Sequence, residues 1–100
     1  MITIIRTADV NGSKLPAALG WAHEIASYVK SKTGIEVKVQ MPSGHGNPFR
    51  IRWIWQTESL AAHEQAMKKL MSDAKYLELG AKAMDLCWPR TFSDEYWVDM

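Results

Sequence analysis

The sequence predicts an α+β chain: a four-stranded antiparallel sheet with two helices on one face, in the order βαββαβ. Three observations carry this expectation. Two short stretches, 35–41 and 49–56, alternate apolar and polar residues on either side of a loop rich in Pro, Gly, Ser and Asn. Two longer stretches repeat apolar residues at helical spacing. Strand-like segments open and close the chain.

Ile2 to Val10 is rich in Ile, Thr and Val and reads as the first strand. Asn11, Gly12 and Ser13 form a turn, with Ser13 as a helix cap and Pro16 in the first helical turn, where a missing N–H is tolerated. Leu15 to Lys32 is the first helix. Leu15, Leu19, Ala22, Ala26 and Val29 share its apolar face, Ala18 and Ile25 flank it, and Gly34 stops it. In the next strand Ile35, Val37, Val39 and Met41 lie on one side, with Glu36, Lys38 and Gln40 on the other. Phe49, Ile51, Trp53 and Trp55 repeat that pattern against Arg50, Arg52, Ile54 and Gln56. Pro42 to Pro48 between them is turn chemistry, so the pair reads as a hairpin. Thr57 or Ser59 caps a second helix with the stripe His63, Ala66, Met67, Leu70, Ala74, Leu77, Ala81 and Met84. Asp73 offers a fresh cap, so a kink or break is expected between Met71 and Tyr76, and Pro89 ends the helix. Thr91 to Asp99 is the last strand. This order is the ferredoxin-like split βαβ arrangement, with strand order 4-1-3-2.

Composition sets the other bounds. One hundred residues, 47% of them hydrophobic and five of them Trp, fit one domain with a packed core. A net charge of +1, with basic and acidic residues intermixed, gives no footprint for nucleic acid and no polybasic membrane anchor. No apolar run approaches the ~20 residues of a membrane helix, and the first ten residues do not read as a signal peptide, so a cytoplasmic protein is expected. The single cysteine, Cys87, excludes an intramolecular disulfide and reads as a packing residue beside Leu86 and Trp88. The three His, at 23, 45 and 63, carry no ligand spacing, so no metal or cofactor is expected. There is no Gly-rich phosphate loop and no nucleophile elbow.

Two helices cover one sheet face. The other carries Ile54, Arg50, Arg52, Glu36, Lys38 and Gln40, with Ile5 or Ile4 from the first strand. That half-apolar face suits a second copy, so a homodimer is expected. The first and third strands are expected to run parallel, which would bring Arg6, Trp53 and Trp55 to one end of the sheet, with His63 hanging over it from the second helix. Arg6 shares strand parity with Ile2 and Ile4, which favours the helix-facing side. These residues would enclose an apolar pocket with few polar groups, the usual form of a ligand site. His63 is then a base and Arg6 an anion binder, with Trp53, Trp55 and Met67 as walls. The plain alternative is a packed core histidine, a structural ion pair and core tryptophans. His23 falls on the flank of its helix, and His45, between two glycines, sits where a lid could lie.

The stretch Trp55–His63 (WQTESLAAH), followed by Met71–Tyr76 (MSDAKY), resembles the dimeric α+β barrel superfamily, and within it the antibiotic biosynthesis monooxygenase-like and NIPSNAP-like groups. Those proteins often end the third strand in Trp, pass a short polar link, and place a His early in the next helix, before a Ser/Thr-Asp-x-x-aromatic break. The resemblance implies a homodimer, and its activities range over cofactor-free oxygenases, isomerases, lyases and haem-degrading enzymes. The haem-degrading branch places a His near Leu79, where the segment Tyr76–Lys82 has none. The cofactor-free oxygenases use Asn, Trp and Arg. Trp53 or Trp55 and Arg6 match; no Asn in the first strand does. Two functions follow: a cofactor-independent monooxygenase, isomerase or lyase acting on a small aromatic or hydrophobic compound, or a non-catalytic binding or assembly module.

Overall fold

The computed structural model describes residues 1–44 and 46–100. Strand β1 (Ile2–Asp9) leads through a 3₁₀ turn into helix α1 (Leu15–Thr33). Strands β2 (Lys38–Gln40) and β3 (Arg50–Thr57) follow, then helices α2 (Leu60–Met71), α3 (Ala74–Ala81) and α4 (Ala83–Leu86), and strand β4 (Ser93–Val98). The strands form one sheet in the order β2-β3-β1-β4, which is the order expected from the sequence. Among the described residues no helix is long and apolar enough to cross a membrane.

The expected strand direction fails. β1 and β3 are antiparallel, with Ile2 opposite Thr57 and Asp9 opposite Arg50. The crossover through α1 leaves a one-strand gap beside β1. The strand that fills it is the returning arm of the β2–β3 hairpin, so it opposes both neighbours. Arg6 and Trp53 still meet, because they are directly paired in that antiparallel register.

Alternation along β1 and β3 assigns the two faces. Ile4, Ala8 and Ile51 are fully enclosed, with Trp53 close behind, while Arg50, Arg52 and Gln56 on the opposite face are exposed. Ile5, not Ile4, therefore lies on the reverse face, opposite Ile54. β2 is shorter than its alternating pattern, since Ile35 and Val37 lie beyond its ladder. Of its expected apolar row, Met41 is exposed, as is Phe49 just before β3.

α1 begins with Pro16 in its first turn and stops at Gly34, whose φ of 75° is the left-handed conformation glycine takes without strain. Asn11, not Ser13, is the cap here: its side chain accepts from the Ser13 amide at the head of the 3₁₀ turn. The sequence reading of α1 passed over Trp21. That ring is buried, donates its Nε1–H to the Leu79 carbonyl at 2.7 Å, and meets Trp53 edge-on at 5.5 Å. Ser59 caps α2 and Asp73 caps α3, each accepting a backbone N–H in the next turn. The break at Ser72 and Asp73 resets the helical phase. The single stripe expected through Met84 therefore splits: Leu77 and Met84 are exposed, while Leu79 and Leu86 turn inward.

Candidate functional site

A cavity of about 170 Å³ lies between the sheet and the helices. β1 and β3 supply Arg6, Trp53 and Trp55; α2 supplies His63, Met67 and Leu70; Tyr76 comes from α3 and Phe92 from the approach to β4. All five residues singled out from the sequence, His63, Arg6, Trp53, Trp55 and Met67, are among its walls. An apolar cavity of ~150 Å³ holds a benzene-sized ring, so this one has room for a single substituted ring.

The strand side is built by parity. Trp53 and Trp55 are two apart on β3 and face the helices together. Trp53 is fixed by its indole N–H, which donates to the Ala22 carbonyl at 3.2 Å. Trp55 is less buried than Trp53, and the Arg6 guanidinium carbon stands 5.8 Å from its ring centre, a cation–π contact.

Arg6 is held on its other side by Asp94. Its Nε and Nη2 donate to the two carboxylate oxygens at 2.8 and 2.9 Å, a bidentate pair between residues directly opposed in the β1–β4 ladder. Hydrogen bonding from Arg6 holds the Asp94 carboxyl below the usual carboxylate range, and Asp94 in turn raises Arg6. The sequence could place Arg6 on the correct face but not name its partner, since the pairing depends on the β4 register.

His63 is 6% exposed and sits between two rings. Trp55 lies 6.0 Å away, tilted, and Tyr96 of β4 lies 5.6 Å away, edge-on. Its Nδ1 is buried with no hydrogen-bond partner among the described residues. Burial lowers the imidazole pKa first and the Arg6 charge lowers it further, against weaker opposing pulls from Asp94 and Glu64. The ring is therefore neutral at neutral pH and free to accept a proton.

Sequence reasoning missed Asp94, Tyr96 and Tyr76. Tyr76 was visible as the aromatic of the helix break, but its entry into the cavity wall depends on the phase reset at Asp73. The remaining candidates lie elsewhere. His23 is exposed on α1, and His45 is outside the described residues. Cys87 is buried against the core and its thiol pKa is pushed up by that burial, the opposite of an activated nucleophile. Among the described residues no group of three His, Cys, Asp or Glu could hold a metal ion.

Neither a protein-family model nor a curated protein matches the chain. Solved structures do. A NIPSNAP family protein of unknown function from Agrobacterium tumefaciens superposes with a TM-score of 0.80 at 23% identity, over 97% of this chain and 86% of that one. An uncharacterised NIPSNAP domain protein from Burkholderia xenovorans gives 0.83 at 11% identity, over 100% and 95%. A candidate antibiotic biosynthesis monooxygenase from Nitrosomonas europaea gives 0.77 at 13%, over 100% and 99%. The chain thus has the ferredoxin-like α+β fold of the NIPSNAP and antibiotic biosynthesis monooxygenase-like proteins.

Proposed function

We propose that this protein is a homodimer that binds a small aromatic or hydrophobic compound in the cavity under its helices and abstracts a proton from it. His63 is the base and Arg6 stabilises the anion that forms; Trp53, Trp55 and Met67 hold the ring. The step is common to cofactor-independent oxygenases, isomerases and lyases. A ligand O–H or acidic C–H bond breaks, its proton moves to the imidazole, and the electron pair stays on the ligand, delocalised into its ring. Fold does not choose among those reactions.

One observation carries the reading: a neutral histidine on the cavity wall has a buried nitrogen with no partner. A buried polar atom left unpaired costs ~1–3 kcal/mol.

The reverse sheet face supports the dimer. Ile5 and Ile54 are paired there, Trp97 on the same side is 59% exposed, and all six residues of β4 are exposed. A sheet face and edge of this composition favours association over solvation.

The test is deuterium uptake. Aryl β-dicarbonyl compounds, whose acidic proton is on carbon, are incubated with the protein in D₂O, and loss of that C–H signal is followed by proton NMR. Protein-dependent exchange that disappears in His63→Leu supports the proposal. Exchange equal in the two proteins, or ligand binding with no exchange at all, leaves a binding module and overturns the catalytic reading.

A further inference from the structure

We propose that Asp94 makes the cavity selective for uncharged ligands, by occupying the arginine that would otherwise hold a carboxylate. The inference rests on the cavity being a ligand site and adds the chemical class that enters it: a neutral hydroxyl- or carbonyl-bearing ring, not an acid.

An arginine facing an apolar cavity is ordinarily the signature of an anionic substrate, because the guanidinium fork matches a carboxylate in a bidentate fashion. Here that fork is taken. Both Asp94 oxygens are engaged by Nε and Nη2. The pair is only partly screened from solvent, with the two side chains 30% and 29% exposed. Among the described residues Arg6 is the only charged side chain on the cavity wall, and Asp94 offsets its charge. An acid entering the cavity would either break the bidentate pair or bring a second negative charge beside Asp94, and in this partly desolvated setting either is costly. A neutral hydroxyl or carbonyl needs no such exchange. A guanidinium has five N–H donors, and the bonds to Asp94 leave others for an uncharged acceptor. Proton transfer to His63 then creates a cation and an anion together, so the site stays neutral throughout.

The experiment compares two probes that share a para-methyl ring, 4-methylphenol and 4-methylbenzoate, at pH 7.5, where the first is neutral and the second anionic. Binding is read from the Trp53 and Trp55 indole N–H signals in ¹⁵N spectra. The intact protein is expected to favour the phenol by ~10-fold or more, corresponding to ~1.4 kcal/mol. Asp94→Asn keeps the side-chain shape and removes the charge. It is expected to shrink that preference by ~10-fold through a gain in benzoate affinity, with phenol affinity changed by less than ~3-fold. Asp94→Ser repeats the measurement should the first variant fail to fold. Adding Arg6→Met to Asp94→Asn should abolish the benzoate gain. A preference unchanged by either Asp94 variant, or an intact protein that prefers the benzoate, overturns the inference while the ligand site stands. If neither probe moves the indole signals, the ligand site itself falls, and the inference with it.

Discussion

A single nitrogen atom separates a core histidine from a reactive one in this fold. His63 sits among Trp55, Tyr96 and the α2 apolar residues, where a leucine would be expected, and its Nδ1 has no partner. Replacing it by leucine removes an unpaired polar atom and roughly conserves volume. His63→Leu should therefore leave the melting temperature unchanged or higher, while abolishing proton exchange on bound ligands; a large loss of stability would mean that the imidazole is a structural support. The same residue fixes a pH dependence. Its folded-state pKa lies below the unfolded value, so the unfolded chain takes up the proton first as pH falls. The stability contribution is complete above the ordinary histidine value near 6.5 and is lost as pH drops from there toward the depressed folded value. Melting temperatures measured from pH 7.5 to 5 should fall more steeply in the native protein than in His63→Leu; parallel curves would refute the assignment. Strand parity and helical spacing put His63, Arg6, Trp53, Trp55 and Met67 on facing surfaces, but their meeting was expected from a parallel β1–β3 pair and comes about instead through the antiparallel register that sets Arg6 opposite Trp53. Asp94 was not legible, because a lone acid on a weakly alternating strand acquires meaning only from the residue across the ladder.

The elements were legible wherever one period ran unbroken, as in α1 and β3. They were less so where a period changed partway. α2 and α3 read as one stripe, and the cap that splits them was visible at Asp73, but not the new phase that follows it. Capping is only part of Asp73's work. It accepts the α3 backbone N–H of Tyr76 at 3.0 Å and the Tyr28 hydroxyl at 2.7 Å, tying the α2–α3 joint to α1. Asp73→Ala should lower the melting temperature by ~5 °C or more, the cost of a lost cap in a chain of this size. Asp73→Asn should retain most of it, because the amide oxygen still caps. Equal melting points for the alanine variant and the parent would show that the joint does not depend on this residue. Strand direction was misjudged for a topological reason: which strand fills the gap beside β1 is decided by the hairpin, not by any feature of β1 itself.

At the scale of the whole molecule, the helices leave one broad surface uncovered. Ile5, Ile54 and Trp97 lie on it, with β4 as its open edge. Trp97→Glu, which puts a charge on that surface away from the cavity, should shift the protein from dimer to monomer in sedimentation velocity without loss of ligand binding. A native protein that sediments as a monomer at micromolar concentration would exclude the dimer. The position of β1 at the centre of the sheet has a further consequence. Its two flanking strands come from far along the chain: Arg6 and Asp94 are 88 positions apart. Contacts so distant in sequence make for slow folding. During synthesis one side of β1 can pair as soon as β3 has emerged, but the other stays open until β4 follows much later, and only then can the layer close around it.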